Sequence, residues 1–162
     1  MGWKVAVERN ALRFSAAHFT TFGGDCEPLH GHNYDVFVEV EGELTGDSWV
    51  IDFAELKTMA RRLCEELDHR FLLQRQSRVL QIEEGAGAWT VSFRGRTWAF
   101  PKAEVAALPI DNTTAERLAE WLCGRLIEEL HSAGANNVTA VTVGVEEAPG
   151  QSGWCTLPAL GR

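Results

Sequence analysis

The chain contains 162 residues, of which 45% are hydrophobic and 23% charged, so it is suited to one globular domain spanning residues 1–162. Its 15 basic and 23 acidic residues give a formal net charge of −8, which disfavours general binding to nucleic acid or anionic lipid. No stretch approaches the about 20 apolar residues of a membrane span, and the first residues contain no apolar signal core, so we expect a cytoplasmic protein without a membrane partner. The four cysteines are too sparse for a disulfide scaffold and are expected to be free thiols.

Alternating apolar residues predict two half-buried strands in the N-terminal part of the chain. One lies within residues 5–14, and the other spans 34–44, where valines alternate with acidic residues. Residues 16–29 lie between them and carry His18, two consecutive glycines and a proline. This composition predicts a loop that can hold side chains over the end of a sheet.

Two amphipathic helices follow. Asp52 is a typical N-cap, and an apolar stripe predicts a helix from there to about Asp68. The second helix is predicted to begin at Thr113, because residues 113–116 match a capping box. Two further strands are predicted at 138–146 and 154–157.

Residues 73–110 are interpreted as an insertion between the helices. Within it, two apolar strands flank Arg94-Gly95-Arg96 and predict a hairpin. The order of elements predicts an α+β fold, with a four-stranded antiparallel sheet, two helices on one face and the inserted hairpin between the helices.

Three histidines form the most informative constellation. His30 and His32 are two residues apart, so both side chains point to one side of an extended backbone, and the returning chain can bring His18 beside them. Three imidazoles leave one tetrahedral position of a zinc ion open, which is typical of catalytic sites. Cys26 could instead close a structural site as a fourth ligand, and its spacing does not exclude this alternative.

Candidate proton-transfer residues lie in two places. A cation beside Cys26 would favour the thiolate form of its side chain, which could then act as a general base. The charged neighbours Asp25 and Glu27 make burial of Cys26 in a core unexpected. Asp68 and His69 follow the first helix, where the carboxylate could orient the imidazole. The alternative for this pair is stabilisation of the helix C-terminus through its dipole.

Glu146 and Glu147 end a predicted strand, and alternation places Glu147 on the face of the preceding valines and Glu146 on the other. A carboxylate in a pocket can accept two N–H donors from a guanidine-like heterocycle edge. The alternative is an exposed charge at the end of a strand.

Over residues 3–72 and 111–157, the sequence resembles the family of 6-pyruvoyltetrahydropterin and 6-carboxytetrahydropterin synthases. The motifs that carry the resemblance are Phe14-Ser15-Ala16-Ala17-His18, Cys26-Glu27-Pro28-Leu29-His30-Gly31-His32-Asn33-Tyr34, Ile51-Asp52-Phe53, Leu67-Asp68-His69-Arg70 and Asn112-Thr113-Thr114-Ala115-Glu116. Several motifs in the same order make the resemblance specific.

The resemblance implies a tunnelling fold, in which the sheets of three protomers form a barrel and two trimers stack into a homo-hexamer. It implies Zn²⁺ as cofactor and a small-molecule pterin, 7,8-dihydroneopterin triphosphate, as substrate. The implied metal ligands are His18, His30 and His32. The implied catalytic residues are Cys26, Asp68 and His69. The implied substrate-binding residues are Glu146, Thr114 and Glu116. The resemblance implies Glu146 as the pterin anchor, because the family's glutamate stands eight positions before an aromatic residue and Trp154 stands eight positions after Glu146.

The spacing Cys-x-x-x-His-Gly-His resembles the carboxytetrahydropterin branch, which serves queuosine and other deazapurine pathways. The expected reaction is therefore formation of 6-carboxy-5,6,7,8-tetrahydropterin with loss of triphosphate and acetaldehyde. Glu27 also fits Glu-x-x-His-Gly-His, the pattern of relatives that cleave the side chain to 6-hydroxymethyl-7,8-dihydropterin for folate. A 6-pyruvoyltetrahydropterin synthase and a non-catalytic pterin- or purine-binding module are further alternatives. Arg70, Arg94 and Arg96 are candidates for a basic rim that receives the triphosphate.

Overall fold

A long central strand organises the fold. The computed structural model describes residues 1–8 and 12–159, and its longest strand is β5, His30–Gly42. Along β5 the side chains of Tyr34, Val36, Val38 and Val40 are buried on one face. This period-two pattern directs one face of the sheet towards a hydrophobic core and presents Asp35, Glu39 and Glu41 on the other face.

The main sheet contains seven strands. Besides β5, they are β1 (Trp3–Val7), β2 (Arg13–His18), β6 (Arg70–Gln74), β10 (Val105–Leu108), β11 (Val138–Ala148) and β12 (Gln151–Pro158). The strand order is β10-β6-β2-β5-β11-β12, and β1 also pairs with β5. Antiparallel β1 and β2 pair with successive parts of β5, since Val7 lies opposite Val38 and Arg13 opposite Asp35.

The prediction of a four-stranded antiparallel sheet was wrong in the number of strands and in their relative direction. The observed sheet is mixed, because β6 runs parallel to both β2 and β10. The run Phe71-Leu72-Leu73 is buried on both faces of the sheet, and a strand of this kind lacks the alternation that predicted strands such as β5. The strand β10 belongs to the segment 73–110, so this segment contributes to the main sheet as well as to the predicted hairpin.

Both helices, α1 (Phe53–Leu67) and α2 (Ala115–Ser132), pack on the face with the buried valines. The predicted N-cap of α1 is confirmed, since the Asp52 carboxylate accepts hydrogen bonds from the amides of Ala54 and Glu55. The N-cap of α2 is Thr114, whose hydroxyl accepts from the Arg117 amide, so the capping box predicted from Thr113 does not form. Thr113 is instead completely buried.

A three-stranded sheet covers part of the other face. We call it the insert sheet; it consists of β7 (Gln81–Glu84), β8 (Ala88–Phe93) and β9 (Arg96–Pro101). The predicted hairpin is its β8–β9 pair, with Arg94 and Gly95 at the turn. A 3₁₀ turn, Lys102–Glu104, leads from it to β10. Phe19, Phe71, Trp89 and Phe93 belong to the second, smaller hydrophobic core between the two sheets.

A tight hairpin follows β2. It pairs β3 (Thr21–Phe22) with β4 (Asp25–Cys26). Gly23 and Gly24 form the two-residue turn with φ values of 57° and 78°, which glycine adopts without strain. We call residues 21–26 the Cys26 hairpin.

Within the described residues, neither helix is long and apolar enough to cross a lipid bilayer.

The packing of β12 against α2 depends on Gly153. A Cβ atom at this position would lie 2.4 Å from the amide nitrogen of Glu116, a backbone atom that cannot rotate away. We therefore expect Gly153→Ala to lower the free energy of unfolding by about 1–3 kcal/mol. A Cβ at Gly46 meets no atom within 4 Å, so Gly46→Ala is the matched control and should remain within about 0.5 kcal/mol of the parent. Urea denaturation measures both variants, and equal stabilities would contradict the close approach of β12 to α2.

Candidate metal centre

Three imidazoles converge where β2 ends and β5 begins. The register pairs His18 with His30 and Ala16 with His32, and these side chains share the core-facing side of the sheet with Tyr34. The ring centroids of the three histidines lie 4.7–5.3 Å apart, and the Nε2 atoms of His18 and His30 are separated by 3.2 Å. Metal–nitrogen distances of about 2.0–2.1 Å place the ligand nitrogens of a tetrahedral zinc ion about 3.3–3.4 Å apart, close to the observed separation.

Backbone carbonyl groups fix the orientation of two of these rings. His18 Nδ1 lies 3.0 Å from the carbonyl oxygen of Thr113, and His30 Nδ1 lies 2.8 Å from that of Pro28. A carbonyl can only accept, so each Nδ1 carries the proton and each Nε2 directs a lone pair into the cluster. Burial, assisted by the neighbouring His30, lowers the pKa of His18 to about 4, so the ring is neutral near pH 7, as a metal ligand must be.

Glu147 is the fourth member of the cluster. Its Oε1 atom lies 2.9 Å from His32 Nε2 and 3.9 Å from His18 Nε2, and one ligand atom from each of the four residues lies within 4.8 Å of all the others. His32 Nε2 is nevertheless buried without a hydrogen bond among the described residues, because the carboxylate does not align with it. Three imidazole nitrogens, one of them buried without such a hydrogen bond, and a carboxylate are together suited to holding a metal ion.

Glu146, the predicted pterin anchor, lies on the opposite face of β11. It stands opposite Asp35 in the register, and its Oε2 accepts a hydrogen bond of 3.3 Å from the Gly150 amide at the β11–β12 turn. The structure therefore brings Glu147 to the imidazoles and does not bring Glu146 there. Alternation in the sequence had already placed Glu147 on the valine face, but its contact with His32 requires the register of β11 against β5.

Asp68 and His69 form a hydrogen-bonded pair immediately after α1. Asp68 Oδ1 accepts from the Ser15 amide at 2.7 Å, and Oδ2 lies 2.8 Å from His69 Nδ1. The His69 amide donates to the Ser15 carbonyl at 2.6 Å, with His69 at φ 55°. The Ser15 amide, by hydrogen bonding to the carboxylate, is the main cause that holds the pKa of Asp68 below its usual value.

This pair lies on the other side of the sheet from the imidazoles. The 82%-exposed His69 side chain lines a cavity of about 530 Å³ together with Ser15, Asn33 and Phe100, and His32 also contributes to its wall. Ser15 and Asn33 face away from the helices, and their side chains are hydrogen bonded to each other at 2.6 Å. Within one chain, the Asp68–His69 pair and the metal cluster therefore belong to different faces of the sheet.

Cys26 is buried, and the expectation that its charged neighbours would keep it out of a core was wrong. Its side chain is 5% exposed and lies in the hydrophobic core beneath the insert sheet, with Phe19 and Phe71. Asp25 and Glu27 remain exposed because alternation in β4 directs them away from that core. Burial raises the pKa of the Cys26 thiol, the reverse of the direction expected beside a cation.

Glu27 is exposed immediately after the Cys26 hairpin. Its Oε2 accepts a hydrogen bond of 2.6 Å from the Thr20 hydroxyl, and its amide donates to the Thr20 carbonyl at 3.0 Å. The carboxylate is close enough to act on the His18 ring, whose pKa it raises against the larger effect of burial. Of the two adjacent candidate bases, Glu27 is therefore the accessible one and Cys26 the buried one.

The residues before α2 support the site in ways that the sequence did not indicate. Besides the bond from its carbonyl to His18, Thr113 donates through Oγ1 to the Phe19 carbonyl at 3.3 Å. The Asn112 side chain both accepts from the Thr21 amide at 3.0 Å and donates to the Thr21 carbonyl at 2.8 Å. Thr114 caps α2, and Glu116 lies exposed in its first turn, so neither predicted substrate-binding residue joins the imidazole cluster.

The three predicted rim arginines all bind backbone carbonyls. Arg70 donates to Ala103, Arg94 to Gly24 at 3.1 Å, and Arg96 to Cys26 at 3.0 Å. The last two contacts join the insert sheet to the Cys26 hairpin.

A mixed, curled sheet with two helices on one face and a His/His/His/Glu group that could hold a metal ion defines a class of proteins with an α+β fold. Comparison with known proteins identifies the family. The sequence model of 6-pyruvoyl tetrahydropterin synthase matches residues 7–157, so the chain belongs to this family, and the resemblance inferred from the sequence motifs is confirmed.

Relatives of known sequence or structure agree with this assignment. A Methanocaldococcus jannaschii protein, provisionally named a 6-carboxy-5,6,7,8-tetrahydropterin synthase, is 33% identical over 141 residues, which cover 86% of each chain. The crystal structure of 6-pyruvoyl tetrahydropterin synthase from Plasmodium vivax superposes with a TM-score of 0.90 at 34% identity and covers 98% of this chain and 99% of that one. A variant of the same Plasmodium enzyme in which a catalytic glutamate is replaced by alanine gives the same TM-score at 33% identity, with the same coverage.

Metal content distinguishes the two groups of histidines. We expect His32→Ala to lose the metal after reconstitution with zinc, because it removes one of three converging nitrogens. His69→Ala should retain the metal, since His69 is not among the four residues whose ligand atoms converge. Metal analysis of the dialysed proteins measures this difference, and equal metal content in the two variants would contradict the assigned ligand set.

The depressed pKa of Asp68 predicts a pH-dependent contribution to stability. A carboxyl with a lowered folded-state pKa stabilises the fold above its unfolded pKa of about 3.9, and this stabilisation is lost as the pH falls through the folded value. Asp68→Asn should therefore lower the free energy of unfolding near pH 7 by no more than about 1 kcal/mol, because the side chain is 40% exposed. Denaturation of the metal-free protein measures this difference, which should diminish below about pH 4.

Asp47→Asn is the control for that comparison, because Asp47 is exposed in the loop before α1. A difference between parent and Asp68→Asn that persists unchanged into acid would contradict the role assigned to the Ser15 amide.

Proposed function

We propose that this chain is a zinc-dependent lyase that acts on 7,8-dihydroneopterin triphosphate. The observation that carries the proposal is the convergence of His18, His30 and His32, whose ligand nitrogens lie within 4.8 Å of one another, with His32 Nε2 lacking a hydrogen bond among the described residues. Membership of the pterin synthase family supports the substrate class.

Zinc, when bound, would act as a Lewis acid towards the hydroxyl oxygens of the pterin side chain. The chain itself would orient the ring. The position of Glu147 beside the imidazoles favours it over Glu146 as the carboxylate that accepts two N–H bonds from the pterin edge. Because Glu147 lies so close to His32, the entering pterin must draw this carboxylate away from the metal ligands.

The spacing of Cys26 from the His-Gly-His motif and the names of the archaeal relatives support the carboxytetrahydropterin branch. In this reaction the substrate and one water molecule would give 6-carboxy-5,6,7,8-tetrahydropterin, triphosphate and acetaldehyde. Cys26 would remove a carbon-bound proton of the side chain, and the Asp68–His69 pair would return a proton. The buried thiol would have to leave its aromatic surroundings to do so.

The exposure of Glu27 favours a second candidate reaction, cleavage of the side chain to 6-hydroxymethyl-7,8-dihydropterin. In this reaction a base removes the proton of the second side-chain hydroxyl, the bond between the first two side-chain carbons breaks, and the first carbon receives a proton. The remaining carbons leave as a phosphorylated aldehyde. Glu27 can act as this base without any movement of the hairpin, and the Plasmodium vivax relative also uses a catalytic glutamate.

The opposite placement of the Asp68–His69 pair and the imidazoles supports an assembly of several protomers. In a single chain the pair lies outside the converging His/His/His/Glu group and its His69 side chain is exposed in the cavity, which favours its use at a cluster that another protomer presents there. We propose the homo-hexamer of two stacked trimers as this assembly, with active sites between subunits.

Product analysis distinguishes the candidate reactions. The zinc-loaded protein is incubated with 7,8-dihydroneopterin triphosphate, and the pterins are identified by chromatography and mass spectrometry. Should Cys26 be the base, Cys26→Ala should retain zinc but form the carboxy product at least about 100-fold more slowly. Glu27→Gln should then retain the turnover of the parent. Should Glu27 be the base, the effects are reversed and the product is the hydroxymethyl pterin.

A 6-pyruvoyl product would assign the third branch of the family. Absence of turnover in the zinc-loaded parent would overturn the proposed enzyme and favour a pterin- or purine-binding module. Loss of zinc in Cys26→Ala would instead identify the thiol as a metal ligand.

A further inference from the structure

The Cys26 hairpin is bonded from outside on both of its strands. Thr21 and Cys26 are paired in this hairpin. The Thr21 amide donates to the Asn112 side chain, and the Thr21 carbonyl accepts from it. The Cys26 amide donates to Asp25 Oδ1 at 2.9 Å. Of the backbone amides and carbonyls of Thr21 and Cys26, only the Cys26 carbonyl then still needs a partner. A two-residue strand pair is too short to be stable by itself, so these external bonds determine where the hairpin stands.

The insert sheet supplies the partner for that carbonyl. Arg96 Nη2 donates to the Cys26 carbonyl oxygen at 3.0 Å, and Arg94 Nη2 donates to the Gly24 carbonyl oxygen at 3.1 Å. Both bonds are charge-assisted and span 70 residues of sequence. Arg94 also lies 3.6 Å from Asp25, so each arginine reaches β4 or its turn.

Packing holds the guanidinium of Arg96 in place. It lies 5.2 Å from the ring centre of Phe93 and 5.3 Å from that of Trp98, and both aromatic residues belong to the insert sheet. Trp98 in turn packs against Phe19, with ring centres 4.9 Å apart, in the core that buries the Cys26 side chain. The arginine is therefore oriented before it bonds to the hairpin.

We propose that the insert sheet is a clamp for the Cys26 hairpin, with Arg96 as the main positioning residue and Arg94 as a second. By holding the Cys26 carbonyl, Arg96 keeps the thiol inside the aromatic core, while the adjacent Glu27 side chain stays exposed. The clamp thus determines which of two adjacent candidate bases is accessible. Its catalytic consequence rests on the proposed function, whereas its structural part does not.

The structural part is tested by alkylation of Cys26 with iodoacetamide, followed by peptide mapping, on the full-length zinc-loaded protein. Arg96→Met keeps the aliphatic side chain over the aromatic rings but removes the donor. We expect it to raise the alkylation rate of Cys26 and the amide exchange of residues 20–27 by about tenfold. Arg96→Lys should restore part of the protection, since one donor remains.

Lys102→Gln is the matched control, because Lys102 is a cation next to the insert sheet that bonds to Glu84 instead of the hairpin. Its alkylation and exchange rates should equal those of the parent. If Arg96→Met fails to fold, Arg94→Asn provides the second test, since asparagine tolerates the left-handed backbone at this turn. Parent-like exchange and alkylation in the folded arginine variants would overturn the clamp.

Kinetics tests the catalytic part separately. Should Glu27 be the base, Arg96→Met should lower kcat at least about tenfold while KM changes less than about threefold, because the arginine positions the hairpin next to Glu27. Should Cys26 be the base, release of the thiol should instead raise kcat and the share of carboxy product. Unchanged kcat and product ratio in a variant with increased exchange would overturn the positioning role. Absence of turnover in the parent protein would overturn the proposed function. The amide-exchange and alkylation results would then still decide whether the insert sheet clamps the hairpin.

Discussion

The hydrogen bond between His18 Nδ1 and the Thr113 carbonyl links the two halves of this fold at the candidate metal centre. It joins the end of β2 to the residue immediately before α2 across 95 positions of sequence. The bond sets the tautomer of a completely buried ring, and it also satisfies a carbonyl that has no access to water. Since Thr113 bonds in addition to the carbonyl of Phe19, the residue after His18, any shift of α2 along the sheet would misalign the imidazole.

The same two strands carry the elements of two separate sites. Alternation along β2 and β5 directs His18, His30 and His32 to the helical face, and Ser15 and Asn33 to the outer face. The Ser15 backbone then anchors the Asp68–His69 pair on that outer face. One antiparallel register therefore fixes both a potential metal centre and a potential proton-transfer pair, and it keeps them apart within the chain.

Local patterns predicted the features that depend on short segments. The Asp52 cap, both helices, the β8–β9 hairpin and the side of the strand on which Glu147 lies follow from periodicity or from a few adjacent residues. The parallel strands β6 and β10 could not be predicted, because burial on both faces removes the alternating signal. The burial of Cys26 could not be predicted either, since, apart from Phe19, the aromatic residues of its core lie more than 40 positions away, in β6 and in the insert sheet.

The parallel pairing of β10 has a consequence for the order in which the chain can fold. Val105 pairs with Phe71 across 34 positions, so this contact closes a long loop and gains little until the chain between has become compact. The antiparallel turns of β7–β9 involve near neighbours and can form early. We therefore expect the short hairpins to collapse first and to deliver β10 to the rim of the growing sheet, so that the outermost parallel strand is among the last parts of the molecule to become native.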